Sequence, residues 1–427
     1  MARQLEIISY FCIVKRFDRF LRIIGFVVLI LLTAPVCAQN NYQETSLPDS
    51  AKRQLDSVEI SLLTCSPGQQ IWSYYGHSAI RIYDPVHNLD IAVNYGLFDY
   101  NQKNFILRFV FGLCDYQMGM ANFPMFLVEY AEEGRSVVQQ RLDLTSEEKA
   151  VIMQAIDENY SPVNRVYRYN FFYDNCTTRA RDILVSHING KVEYAPHPEV
   201  KTSWREMTHQ WSGEHRWGQF GCDLLLGVKA DGATDNAQQQ FLPDTLRAAF
   251  ASAQVVDPAG RRRALVDSTS TILKIESANV PQESSIWDVV TPRTFFGLAF
   301  LVVFLISLFE LRRKRTLWLV DVVLLTLDGL AGLVLFTMIF SQHPTVSLNF
   351  QILLLNPLSL FFVYGVVKKE LSAQYHRYWN VLLVCIILFV IGGFFQDYAE
   401  GIYFLALSLL LRIGINRHIA QKATTKA

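Results

Sequence analysis

YNFFYDNCTTRARDIL, residues 169–184, joins two kinds of local structure. Tyr169 to Tyr173 is apolar and aromatic and reads as the end of a strand over 166–173. Asp174-Asn175 turns the chain, and from Thr177 the pattern predicts a short helix with Arg179, Arg181 and Asp182 on its wetter sides. Cys176 stands at the junction. A strand feeding a helix through a capped turn points to an α+β domain. It leaves three roles open for the cysteine: a packed core residue, half of a disulfide, or a nucleophile.

The surrounding sequence fills in that domain. Residues 56–64 read as a strand, and 77–84 and 89–96 alternate apolar and polar residues around Asp-Pro-Val-His-Asn, a hairpin pattern. Residues 103–112 and 123–132 have helical or mixed character, and 135–144 alternates as a strand. Thr145 with Glu148 forms the capping-box signature of a helix over 146–160. Helices are expected over 204–211 and 246–254, and the polar stretch 255–293, with Pro258 and Pro281, reads as a linker.

The chain has 427 residues, enough for two or three domains, and 39 basic residues balance 39 acidic ones. That balance gives no reason to expect a nucleic acid as partner. Apolar residues concentrate at the two ends. Near the start, Lys15, Arg16, Arg19 and Arg22 precede the run IIGFVVLILL (23–32) and the small-residue site TAPVCAQ. This is the layout of a secretory leader, with cleavage expected after Ala38. Cys37 invites a lipid-anchor reading, but Pro35 and Val36 fit that pattern poorly. An ordinary leader or an uncleaved anchor over 1–38 exports the domain that begins at residue 39.

After Arg293 come five apolar stretches, at 295–311, 317–340, 350–367, 379–395 and 402–415. The first four approach or exceed the length of a bilayer span and the fifth is short. The connecting segments 312–315 and 368–377 and the tail are basic, whereas 341–349 and 396–401 contain no Lys or Arg. Basic loops stay in the cytoplasm, so the domain ahead of the spans lies outside, in agreement with the leader. The expected order is an exported domain over 39–254, the linker 255–293, a transmembrane domain of about five helices over 294–416 and a cytoplasmic tail over 417–427. Asp321 and Asp328 share one face of the second span, as helix-packing groups or as functional ones.

Four cysteines remain in the exported part: Cys65, Cys114, Cys176 and Cys222. Their spacing matches no zinc pattern, and neither a metal nor a cofactor is expected. One disulfide among Cys65, Cys114 and Cys222 stays open. Cys176 falls in the first turn of its helix, where unpaired N–H groups favour a thiolate and offer donors to an oxyanion. A cysteine nucleophile needs a base. Among the exported histidines, His77 differs by standing behind Gly76 at the mouth of an apolar strand. If the hairpin turns near 86–87, His77 faces positions near 95–97, and Asn94 is the nearest polar residue able to orient the imidazole. A half-buried strand-end histidine and an ordinary strand asparagine are the bland alternatives.

A histidine opening a strand, a polar residue on its partner strand and a downstream Asn-Cys at a helix start resemble the circularly permuted papain-like enzymes, in which histidine precedes cysteine. GHSAIRI, NYGLFDY, NFFYDNCTTRARDIL, DLLLGVKADG (223–232), FLPDTL (241–246) and SQHPTVSLNFQILLLNPLSL, in this order, resemble the lipoprotein N-acyltransferase family of the Lnb type. The resemblance implies a permuted papain-like domain followed by an α-helical transmembrane bundle. It implies transfer of an acyl chain from a phospholipid donor to the N-terminal amine of a diacylated lipoprotein, at the inner (cytoplasmic) membrane with the N-terminal domain on the periplasmic side. Cys176, His77 and Asn94 are the expected catalytic residues. Tyr75, Asn175, Arg81, Arg179 and His343 are candidates for oxyanion or substrate contacts, although a solvated or salt-bridged helix face also accounts for Arg179. The competing readings are a membrane-anchored peptidase or amidase acting on cell-wall peptides, and a non-enzymatic receptor or assembly protein.

Overall fold

The computed structural model describes residues 48–70, 72–98, 103–195, 201–213, 215–276 and 289–424. The leader expected over 1–38, with Cys12 and Cys37, lies outside these residues.

The exported part opens with α1 (Asp49–Asp56), β1 (Glu59–Cys65), β2 (His77–Asp84) and β3 (Leu89–Leu97). Then come α2 (Phe105–Val110), β4 (Asp115–Asn122), α3 (Phe123–Glu132), β5 (Val137–Leu142), α4 (Ser146–Tyr160), β6 (Val166–Arg168) and α5 (Cys176–Val185). It continues through β7 (Lys191–Glu193), α6 (Trp204–Ser212), α7 (Arg216–Leu225), α8 (Asn236–Gln239), α9 (Pro243–Ser252), β8 (Gln254–Val256), β9 (Arg262–Ala264) and β10 (Val266–Leu273). A seven-stranded sheet runs in the order β10-β5-β1-β2-β3-β4-β6, and a smaller one in the order β7-β8-β9.

Both faces of the larger sheet are covered, which explains why β1 reads as a continuous apolar run rather than an alternating one. On one face Ile60, Leu62, Ile80, Val93 and Tyr95 pack with Ile152, Ile156, Ala180, Leu184, Leu246 and Phe250 of α4, α5 and α9. On the other, Leu63, Cys65, Ala79 and Ala92 meet Phe123, Phe126 and Tyr130 of α3. Helix α4 has the expected ends: Thr145 and Glu148 form a reciprocal capping box.

Three readings change. The aromatic stretch 169–173 is a turn rather than a strand. Asn170 Oδ1 accepts the Phe172 and Tyr173 amides at 3.2 Å, and Asn170 pairs with Asp174. Its aromatic rings are apolar because they pack with Trp204 and Phe241, not because they extend a sheet. Residues 255–273, expected within the linker, belong to the folded domain. β10 is an edge strand whose middle faces solvent, so it reads as polar. β4 drew no strand expectation, and its Asp, Gln, Gly and Asn explain why.

The membrane part comprises α10 (Pro292–Arg313), α11 (Trp318–Met338), the broken pair α12 (Gln351–Leu354) and α13 (Leu358–Leu371), α14 (Tyr378–Gly392) and α15 (Ile402–Thr424). Four of these units are long and apolar enough to span a bilayer, with α12 and α13 counted as one. The short helix is the fourth, which stops at Gly392-Gly393, and not the fifth, which runs for 23 residues. The apolar run 402–415 underestimates α15 because the helix continues through Asn416, Arg417 and His418, and within the run itself it carries Arg412. That guanidinium is fully buried between Glu310 and Asp321, 2.7 Å from the latter. Asp321 and Asp328 both face the bundle interior. Asp328 Oδ2 accepts Ser359 Oγ at 2.6 Å and the Asn356 amide at 3.3 Å, which satisfies backbone freed at the Asn356-Pro357 break.

Candidate active site

The Asn175 side chain explains why a helix starts at Cys176. Its Oδ1 accepts the Thr177 and Thr178 amides at 2.9 Å, and the Thr178 hydroxyl accepts the Asn175 amide. Asn175 Nδ2 donates to the Phe171 and Phe241 carbonyls at 2.8 and 2.9 Å, so the helix start is tied to the turn before it and to the chain before α9. Asn175 is 3% exposed and has no free donor for a substrate. Two of the N–H groups expected for an oxyanion are thus already used, and the amide of Cys176 itself remains.

His77 comes from the other side of the sheet. By strand alternation it shares a face with Ala79 and Asn94, whereas α5 packs against Ile80 and Tyr95. Ala79 pairs with Asn94, so His77 reaches Asn94 diagonally across the β2–β3 ladder. His77 Nε2 lies 2.5 Å from Asn94 Oδ1. The ring also stands beside the Cys176 thiol and interacts with it, and with Nε2 committed to Asn94, Nδ1 is the ring nitrogen left to serve the sulfur. Ring and thiol meet over Gly96, where the β3–β4 register slips. Gly96 has φ +92°, and a Cβ there would lie 3.8 Å from Cys176 Cβ and 4.0 Å from His77 Cε1.

The electrostatics follow from this geometry. Burial acts to raise the Cys176 thiol, but the neighbouring His77 charge and hydrogen bond outweigh it, helped by the Ser78 amide and the Thr177 hydroxyl. The thiol is brought down from 9.0 to about 7. Burial likewise acts to lower His77, and the Cys176 thiolate and Asn94 raise it above its ordinary value. Each group favours the charged form of the other, the condition for a thiolate–imidazolium pair. The other exported cysteines go the opposite way. Burial pushes Cys65 up to about 12 and also raises Cys114 and Cys222. The five described cysteines are all free, so none of the open pairings among Cys65, Cys114 and Cys222 forms a disulfide.

A cleft of about 190 Å³ opens over the pair, with Trp72, Tyr75, Leu97, Tyr169, Phe171 and Leu242 in its wall. Tyr75 presents its ring there. Its hydroxyl is turned to Cys222 and Ser212, and burial raises its pKa. Arg81 is held by Asp90 and Gln139 at 2.8 Å and stacks over Phe123, and Arg179 forks onto Asp174 and lies over Tyr167. Neither lines the cleft, and neither does His343, which sits beside Phe109 in the loop after α11. Sequence reading passed over Gly96, Tyr169 and Leu242. A glycine two residues after Asn94 was the available signal for the first.

The exported domain is fastened to the membrane bundle by a polar network. Arg205, fully buried, bonds Asp223 and Asp231 and the carbonyls of Asp223, Leu226 and Gly227. Gln351 donates to the Asp223 and Leu224 carbonyls, Asn349 to Leu224, and Gln396 to Leu226. Gly227 and Val228 donate to Thr345 and Leu348, and a Cβ on Gly227 would lie 2.0 Å from the Leu348 oxygen. Arg216 pairs with Glu400, and Arg168 reaches Gln342. These membrane-side partners fall at or beside the two connections that lack Lys and Arg, which puts the N-terminal domain on the non-cytoplasmic side.

No curated protein and no solved structure matches the chain. Residues 48–210 match the family model described as the Lnb N-terminal periplasmic domain, and residues 282–424 match the one described as the Lnb transmembrane domain. The two matches, in this order along one chain, identify an Lnb-type protein with a periplasmic N-terminal domain and a C-terminal membrane region.

Proposed function

We propose that this protein transfers an acyl chain from a membrane phospholipid, through a thioester on Cys176, to the N-terminal amine of diacylated lipoproteins at the inner membrane. The observation that carries the reading is the Cys176–His77–Asn94 cluster, set in a periplasmic cleft whose domain is bolted to the outer end of a membrane bundle. The Lnb-type family supports a lipoprotein-modifying role at the envelope. The order of histidine and cysteine supports a permuted papain-like arrangement.

In the first half-reaction the Cys176 thiolate attacks the ester carbonyl, and the oxyanion is held by the Cys176 amide at the start of α5. Collapse breaks the ester C–O bond. The departing glycerol oxygen takes the proton from His77, leaving a lysophospholipid and an acyl thioester. In the second, the lipoprotein amine attacks the thioester carbonyl and gives its proton to His77. The C–S bond then breaks, which releases the amide and restores the thiolate–imidazolium pair. Asn94 holds the ring in the orientation both transfers need. Arg81, Arg179 and Asn175 are proposed as structural. The proposed chemistry calls on no metal or cofactor. Both substrates are confined to the membrane plane beside the cleft, which reduces the entropic cost of bringing them together.

Mass spectrometry of a lipoprotein's N-terminal peptide tests the reading. The peptide should carry one acyl group more in cells with the wild-type protein than in cells with Cys176→Ala or His77→Ala accumulating equally in the membrane. An unchanged acyl count overturns it. Release of cell-wall peptides by the purified protein would favour a hydrolase instead.

A further inference from the structure

A second cavity, of about 720 Å³, lies in the membrane half between α10, α11 and α15, under Phe220 and Leu224 of α7. Its wall is apolar apart from Asp328 and Ser408, and both of these bond to protein partners: Asp328 Oδ2 to Ser359, and Ser408 to the Phe404 carbonyl. Phe295 and Ile306 mark its extent on α10, ~16 Å at the rise of an α-helix, about the depth of one hydrocarbon leaflet. One side is open, since Val302, Val323 and Leu327 are more than half exposed where the surrounding medium is lipid. Its outer rim carries Trp217, Phe220, Phe295 and Phe296 in mutual ring contact, residues suited to the membrane–water boundary.

Helix α7 separates this cavity from the catalytic cleft and touches both. Phe220 and Leu224 line the membrane cavity. Cys222, between them in sequence, bonds the Tyr75 hydroxyl, whose ring walls the cleft. Gly218 brings the Tyr74 ring to 2.9 Å from where a Cβ would stand.

We propose that this cavity holds one acyl chain of the phospholipid donor, entered sideways from the outer leaflet, with its ester end lifted past α7 toward Cys176. The proposal rests on the acyl-transfer reading, and a photolabelling experiment distinguishes failure of one from failure of the other. Full-length Cys176→Ala protein in lipid nanodiscs is irradiated with a phospholipid, or in a second arm a diacylated lipopeptide, carrying a diazirine near the end of one chain. Turnover is not required. Labelling by the phospholipid probe should concentrate on the segments around Val303 and Val323. It should exceed that at the still more lipid-exposed Phe361 and Tyr364 of α13 by about tenfold, and an excess seen only with the lipopeptide overturns the assignment to the donor. Val303→Phe with Ala331→Phe, which narrow the cavity, should remove that excess while labelling of α13 persists. Equal labelling of all lipid-facing helices, or an excess that survives the narrowed cavity, overturns the proposal. Strong cavity labelling in a protein whose wild type leaves the lipoprotein N-terminal amine free retains the site and discards the acyl-transfer reading.

Discussion

Replacing His77 with Gln removes the charge and the hydrogen bond that bring the Cys176 thiol to about 7, while the burial that opposes them remains. The variant thiol should therefore titrate at or above its ordinary 9.0. The sign is fixed by the thiol: as pH rises through the thiol pKa the nucleophile forms, and as pH falls below it the nucleophile is lost. At pH 6 a thiol of pKa about 7 is ~9% thiolate and one of pKa about 9 is ~0.1%, a ratio of ~90. The more basic thiolate is intrinsically the better nucleophile, by roughly 8-fold over about two units. The alkylation rate at pH 6 should thus fall about tenfold, and the midpoint of its pH profile should move up by about two units. Iodoacetamide labelling across pH 5–10, read on the peptide containing Cys176, measures both. Cys65, Cys114 and Cys222 are internal references, because burial raises all three. Equal midpoints in wild type and His77→Gln, or a wild-type midpoint near 9, would refute the ion pair.

Three other outcomes are expected. Asn94→Ala should lower kcat for acyl transfer by roughly tenfold or more with little change in KM, and Asn94→Asp, which keeps the acceptor 2.5 Å from His77, should recover most of the loss. Gly96→Ala should cost about 1–2 kcal/mol of stability through its left-handed φ, and any backbone shift that relieves it should lower activity by moving the strand under ring and thiol, read by thermal unfolding beside single-turnover kinetics. Arg205→Met should destabilise the protein by about 3–5 kcal/mol, because Asp223 and Asp231 lose their shared cation. Limited proteolysis should then cut the exported domain faster, and an unchanged cleavage rate would show that the clasp is dispensable.

The β2–β3 hairpin was legible because both strands alternate, and α4 because Thr145 and Glu148 carry its start in the local sequence. The meeting of His77 with Asn94 was legible for the same reason, since a hairpin register follows from its turn. What escaped depends on tertiary context. The rings of Phe171, Phe172 and Tyr173 look like strand residues until Phe241 and Trp204, far along the chain, supply their partners. β10 shows solvent most of its side chains and so resembles a linker. Arg205, Asp223 and Gln351 are ordinary polar residues in sequence and become a clasp only when two domains meet. The length of α15 was hidden because the helix runs on past Ile415 through polar residues such as Asn416, whose side-chain amide finds its partner, Asp321, on a distant helix.

The central claim is a covalent one: the acyl chain passes through sulfur on Cys176. Brief exposure of the purified protein to phospholipid without acceptor, followed by peptide mass spectrometry, tests it most directly. The account predicts an acyl group on the peptide containing Cys176, removable by hydroxylamine, transferred when a diacylated lipopeptide is added and missing in His77→Gln. Lipopeptide acylation that proceeds with Cys176 unmodified throughout, or replaced by Ala, would contradict it.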